Sequence, residues 1–270
     1  MVPTTGNSQV LRVSMKISSK ISGILALVLL SFGCVSVPAS REGVQGDAVA
    51  LNPARIAAFT PILMPHPVQL TSIDPTTAAS AKVQTFVESR ILASFKNQPN
   101  VNGISFQSVR TALTSYPRLA SDIGSEMKAV GQLTNSGIAR ETLLLSKECR
   151  ARKNFLDFYK HCLVGSQKWI SHLNQFSSAV QNTDSILIPV ITALEKMTEN
   201  DIYSVRFGVA LLLVDTNSGK LIWGRDALVR IESPLGAKQF PDLQAAMEKV
   251  FNEAFWAEFP GRRSRAEAGK

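Results

Sequence analysis

Apolar residues recur along this chain with two periods, and where one gives way to the other an element ends. Val205, Phe207, Val209, Leu211 and Leu213 alternate with their neighbours and predict a strand. Asp215-Thr216-Asn217-Ser218-Gly219 then has turn chemistry: Asp and Ser side chains bond nearby main chain, and Gly accepts a positive φ. Leu221-Ile222-Trp223 starts a returning strand that continues through Ala227, Val229 and Ile231, which predicts an antiparallel hairpin. Ser185–Leu194 is a β-rich run just before it. Upstream, Ile56–Met64 predicts a first strand, with Pro61 marking an edge or bulge and Pro65-His66-Pro67 ending it. Gln98-Pro99-Asn100 turns the chain into a short strand, Val101–Phe106.

The longer period fills the remainder. Asp74-Pro75 offers an N-cap and a first-turn proline, and Val83, Phe86, Val87, Ile91 and Phe95 follow at helical spacing to near Lys96. Helical pattern returns from Ser108 to Tyr116 and dominates Ser125 to Val180, broken at Asn135-Ser136-Gly137. Phe240-Pro241-Asp242 opens a last helix with Leu243, Ala246, Met247, Val250, Phe251, Ala254 and Phe255 on one face. The order predicts an α/β (α+β) fold: a mixed, mostly antiparallel sheet flanked by N- and C-terminal amphipathic helices, with a helical insertion at about residues 110–180. A chain of 270 residues with 45% hydrophobic content supports one such domain, placed at residues 54–260.

The residues before that domain read as an export signal. Met15-Lys16-Ile17-Ser18-Ser19-Lys20 is a basic n-region, and Ile21–Gly33 is an apolar run of 13 residues, short of the ~20 a spanning helix needs. Residues 1–33 are therefore expected as signal peptide, with Met15 as the true start. Leu29-Leu30-Ser31-Phe32-Gly33-Cys34 resembles a bacterial lipobox, which implies that Cys34 is lipidated and becomes the first mature residue. The rival is cleavage after Val37-Pro38-Ala39, which would release a soluble periplasmic protein starting at Ser40. Val35 follows Cys34 where the enteric sorting pattern would carry a retaining Asp, which implies the periplasmic face of the outer membrane. Residues 34–53 are expected as lipidated cysteine and tether, rich in Ser, Gly, Ala, Val and Pro.

Charge narrows the partners. The net charge is +8, but Arg12, Lys16 and Lys20 give the first 20 residues +3, and Arg262, Arg263, Arg265 and Lys270 against Glu267 give the last nine +3. The body between carries only +2, so it lacks the basic face of a nucleic-acid binder, and residues 261–270 read as a basic tail. Cys149 and Cys162, spaced C-x12-C, would persist as a disulfide in an oxidising compartment. The intervals among Cys149, His161, Cys162 and His172 match no usual zinc spacing, so no metal and no cofactor are expected. Phe155, Phe158, Tyr159, Trp169, Leu173 and Phe176 read as packing.

The stretch from Val209 to Trp223 resembles the "strand, D-T-x-x-G-x-(I/L)-x-W, strand" hairpin of a group of bacterial envelope lipoproteins. The group includes the curli-secretion channel lipoprotein and the penicillin-binding-protein activator lipoproteins. The resemblance covers residues 54–106 loosely and 185–258 better. It implies structural roles for Asp215 and Gly219 in the turn and for Trp223 in packing. It also implies a non-enzymatic protein that binds or assembles with another envelope component, with oligomerisation left open. The sequence holds no G-x-S-x-G, H-E-x-x-H, G-x-x-x-x-G-K-[ST] or C-x-x-C. Glu195, Glu199 and Asp201 could in principle serve acid–base work, but their run reads as a solvated turn. The alternatives are an oligomeric secretion-channel subunit and a periplasmic hydrolase. The expected contact surfaces are the helical insertion and the basic tail.

Overall fold

Both faces of the central strands are apolar. Odd and even positions alike are buried along Ser185–Val190 and Val209–Val214, the pattern of a sheet covered on two sides. The structure is a computed structural model and describes residues 41–45, 54–64, 78–98, 101–135, 155–234, 236–256 and 259–260. Cys34, His66, Cys149, the export segment and the basic tail lie outside the described residues.

The strands are Arg41–Gln45 (β1), Ala54–Ala58 (β2), Ile62–Leu63 (β3), Val101–Ile104 (β4), Ser185–Glu199 (β5), Ile202–Asp215 (β6) and Leu221–Glu232 (β7). They form one mixed sheet in the order β1-β7-β6-β5-β2-β4, with β3 beside β5. The long strands β5, β6 and β7 pair antiparallel, whereas β2 runs parallel to β5 and to β4, and β3 parallel to β5. The α+β expectation of a mixed, mostly antiparallel sheet with helices before and after it describes this architecture.

Ala78–Lys96 (α1) and Leu243–Val250 (α6) cover one face. Their Val83, Val87, Ile91, Met247 and Val250 share a core with Leu187, Phe207, Val209 and Leu211. The first half of the opposite cover is Phe106–Leu113 (α2) and Pro117–Asn135 (α3). The second half is Phe155–Phe158 (α4), running into a π-helical turn at Tyr159–Leu163, and Gln167–Ala179 (α5). Val109, Ile123, Phe155, Trp169 and Leu173 from this group pack on Ile186, Ile188, Ala210 and Leu212. What the sequence reading treats as an insertion at 110–180 is, over its described residues, a layer of the domain. The even-numbered residues of β6 need that cover, and a reading of the odd ones alone misses it.

Three other expectations shift. Arg41–Gln45, inside the segment expected as tether, pairs antiparallel with β7 from Trp223 to Ala227 and extends the sheet. The single strand expected over Ile56–Met64 is divided at Pro61, which has no N–H to give to a ladder. Phe59 N–H still reaches the Leu187 carbonyl at 2.8 Å, and pairing resumes at Ile62. Of the run Glu195–Asp201 read as a solvated turn, Glu195–Glu199 belong to β5 and only Glu195 is buried. The chain reverses only at Asn200 and Asp201, whose φ values of 50° and 61° are those of a two-residue hairpin turn. The last helix stops at Val250 and gives way to a 3₁₀ turn, Glu253–Trp256, which keeps Phe255 and Trp256 on the same core. Among the described residues, no helix is long and apolar enough to cross a membrane.

Candidate functional site

The β6–β7 turn is held from within and from outside. Asp215 Oδ1 accepts from Asn217 N–H at 3.1 Å and from Ser218 N–H and Oγ–H at 2.7 Å each. Gly219 takes φ +70°, and a side chain there would press on Ile170 Cγ1 at 3.3 Å. Thr216 is fully buried and its hydroxyl bridges to the Thr183 and Asp184 carbonyls at 2.8 and 2.9 Å, tying the turn to the start of β5. From the helical layer, Tyr159 Oη–H donates to the Gly219 carbonyl at 2.8 Å and accepts from Trp169 Nε1–H at 2.8 Å. Trp223 lies on the other face, stacked parallel to Trp256 at 6.2 Å and edge-on to Phe259 at 4.9 Å. The sequence reading names Asp215, Gly219 and Trp223 but not Thr216, Tyr159 or Trp169, which complete the joint. Tyr159, Trp169, Thr216 and Trp223 are fully buried.

The titratable residues singled out in the sequence do not converge. Glu195 is buried and paired with Arg206 at 2.9 Å, whereas Glu199 reaches Arg230 at 3.5 Å near the hairpin tip. His172 bridges Glu126 at 3.2 Å and Asp122 at 3.8 Å between α3 and α5, and His161 meets Asp157 at 3.2 Å one turn away on its own helix. Cys162 sits half-buried in the π-helical turn beside the core of the helical layer. Its expected partner Cys149 lies outside the described residues. Among the described residues, no group of three or more His, Cys, Asp or Glu is placed to hold a metal ion.

A larger concavity than any at these residues lies at the side of β3 that no described strand pairs. It is a cleft of about 720 Å³ with the chain from Phe59 to Met64 as one wall. Gln84 of α1, the end of α2 from Arg110 to Thr114, and Ala120, Gly124 and Lys128 of α3 complete it. Its position follows from the strand lengths. β4 runs beside β2 opposite Ala54–Ala57 and no further, because Ser105 caps α2 and its hydroxyl accepts from Ser108 N–H at 3.2 Å. β3 continues the line of β2 along β5, so the row beside β3 is left without a strand among the described residues. The Gln84 side chain fills a little of that row, donating to the Pro61 carbonyl at 3.1 Å. A Cβ added at Gly124 would meet nothing within 4 Å. Arg110 and Lys128 bring two basic side chains to the lining, which contains no carboxylate among the described residues. Glu88, outside the lining, holds Arg110 by a 2.7 Å contact. No element of the sequence reading pointed to this cleft, because it arises from where β4 stops and not from a motif.

A smaller groove of about 500 Å³ runs along α5 beside Tyr116 and is lined by amides and hydroxyls. Its Asn174, Gln175 and Ser178 are engaged in bonds within the helix.

No family model matches this chain, and no curated protein matches it. Solved structures with a related course of the chain include the PelC dodecamer from Paraburkholderia phytofirmans, 10% identical over 83% of this chain and 98% of that one, TM-score 0.39. Lipoprotein GNA1162 from Neisseria meningitidis is 13% identical over 73% of this chain and 93% of that one, TM-score 0.31. The hypothetical protein CT253 from Chlamydia trachomatis is 8% identical over 79% of this chain and 94% of that one, TM-score 0.30. Likenesses of this size transfer neither an oligomeric state nor an activity.

Proposed function

We propose that this chain is a lipoprotein of the bacterial envelope that acts by binding another envelope component and not by turnover, with the cleft beside β3 as its contact surface. One observation carries the binding reading: an apolar cleft with Lys128 at its rim and, among the described residues, no lining carboxylate opens onto a strand edge that no described strand pairs. Such a surface offers shape, main-chain groups and charge to a ligand. Among the described lining residues the groups on offer are apolar side chains, hydroxyls, an amide and two basic side chains, which suit contact with a ligand.

Export rests on the basic n-region and apolar run that end at Gly33-Cys34, and anchoring on acylation of Cys34. An acylated protein on the periplasmic face of the outer membrane meets co-anchored partners at raised effective concentration, so modest intrinsic affinity suffices. A disulfide between Cys149 and Cys162 belongs to the same reading, since that compartment is oxidising.

Two measurements test it. Labelled fatty acid should enter the wild-type protein and be lost in Cys34→Ser; label retained by Cys34→Ser, or a mature N-terminus at Ser40, overturns the anchor. A photo-crosslinking amino acid at position 124 in intact cells should capture one discrete envelope component. Capture equal to that from the same probe at exposed Lys220, on the far turn, overturns the cleft as contact surface.

A further inference from the structure

Resting on the reading of the cleft as the binding surface, we propose that its occupant is an extended, acidic peptide segment of a partner protein, added as a strand to the edge of β3 that no described strand pairs. Three features of the lining select this class of ligand.

The first is the main chain. Met64 N–H bonds the Ile191 carbonyl at 3.1 Å, so Ile62 and Met64 direct their main-chain groups to β5. By the alternation of a strand, Leu63 then aims its N–H and C=O into the cleft. The Pro61 carbonyl points the same way, since Gln84 Nε2 reaches it from α1 at 3.1 Å. An incoming strand can take over that bond and add a pair with Leu63. Pro61 has no N–H to contribute, so the edge alone gives only a few bonds and the side chains must supply the rest.

The second feature is the walls. Phe59, Ile62 and Met64 are buried and Leu113 and Ala120 stand opposite, which suits apolar side chains at every second position of the peptide. The open volume at Gly124 receives one of them. The third is charge. Arg110 is already held by Glu88, so Lys128, exposed beside a lining with no carboxylate among the described residues, is the cation that favours Asp or Glu at the alternate positions and disfavours a basic strand.

The test uses the full chain and three fluorescein-labelled hexapeptides of alternating sequence: Val/Glu, Val/Lys, and Val/Glu with every second amide N-methylated. The Val/Glu peptide should bind, weaken as salt is raised, and slow amide exchange at Leu63 at least tenfold. The Val/Lys and N-methylated peptides should bind at least tenfold more weakly. Lys128→Glu should cost at least tenfold in affinity. Gly124→Leu, whose Cβ meets nothing within 4 Å, should do the same with an unchanged melting temperature. Equal binding of the N-methylated peptide, or no protection at Leu63, overturns strand addition. Equal binding of Val/Lys overturns the acidic ligand. Crosslinks at position 124 to a lipid or glycan, with no peptide binding, overturn this proposal and leave the cleft as the contact surface. Failure of both peptide binding and crosslinking removes the two readings together.

Discussion

Tyr159 places its hydroxyl between the Gly219 carbonyl and the Trp169 indole N–H, with the ring fully buried. Tyr159→Phe leaves that carbonyl and that N–H without their partner in a site closed to water. The expected cost is about 2–3 kcal/mol, read from urea unfolding at neutral pH. Burial also pushes the phenol well above its ordinary 10.0; the Trp169 bond opposes the shift and the Asp215 charge adds to it. The folded chain therefore keeps a proton that the unfolded chain loses. Stability from this group is full below pH 10 and falls as pH rises past it, by about 1.4 kcal/mol per unit for one proton. Unfolding measured from pH 8 to 11 should show that extra fall in wild type and not in Tyr159→Phe. Asp215 and Gly219 were legible because their work is local: a carboxylate bonding two residues on, a glycine at positive φ. Tyr159 was not, because an aromatic at helical spacing reads as packing and its partner lies 60 residues away.

At the level of elements, the β5–β6 hairpin shows how charge misleads. Glu195, Lys196 and Glu199 look solvated in sequence, yet register pairs Glu195 with Arg206 and closes the hairpin four residues later. The Glu195 side chain is 7% exposed and that of Arg206 30%. Arg206→Met removes the ion pair of a nearly buried carboxylate, and the expected loss is about 2 kcal/mol, below the 3–5 of a fully buried pair because Arg206 is partly wet. Adding Glu195→Met should recover most of that loss, since the buried carboxylate is then gone; thermal unfolding of the two variants decides it. The turn itself holds two non-glycine residues at positive φ. Asp201→Gly relieves one of them, with an expected gain of about 0.5–1 kcal/mol in the same experiment. Strand ends were less legible than strand centres for the same physical reason: β4 stops where a Ser105 cap diverts the chain, and β2 stops where Pro61 interrupts it. Those two endings make the cleft.

At the scale of the molecule, the arrangement of layers decides what the region from 106 to 180 is for. Its helices cover Ile186, Ile188, Val190, Leu212 and Val214, all fully buried. Exposing large apolar side chains costs about 1.5–3 kcal/mol each, so losing the cover removes roughly 8–15 kcal/mol. That equals the whole stability of an ordinary domain, about 5–15 kcal/mol. The apolar run from Val209 to Val214 carried this information, since a strand with one wet face has polar residues at every second place. A variant in which a short Gly-Ser linker replaces residues 106–180 is therefore expected to accumulate as aggregate. If refolded, it should bind hydrophobic dyes and unfold without a cooperative transition. Leu212→Asp, which injures the same interface at one point, should lower the melting temperature sharply while leaving a cooperative transition. A soluble deletion variant that melts cooperatively would mean that the sheet needs one helical layer only. The helices from 106 to 180 would then be an appendage available for docking, and the cleft, which α2 and α3 help to build, would lose its structural basis.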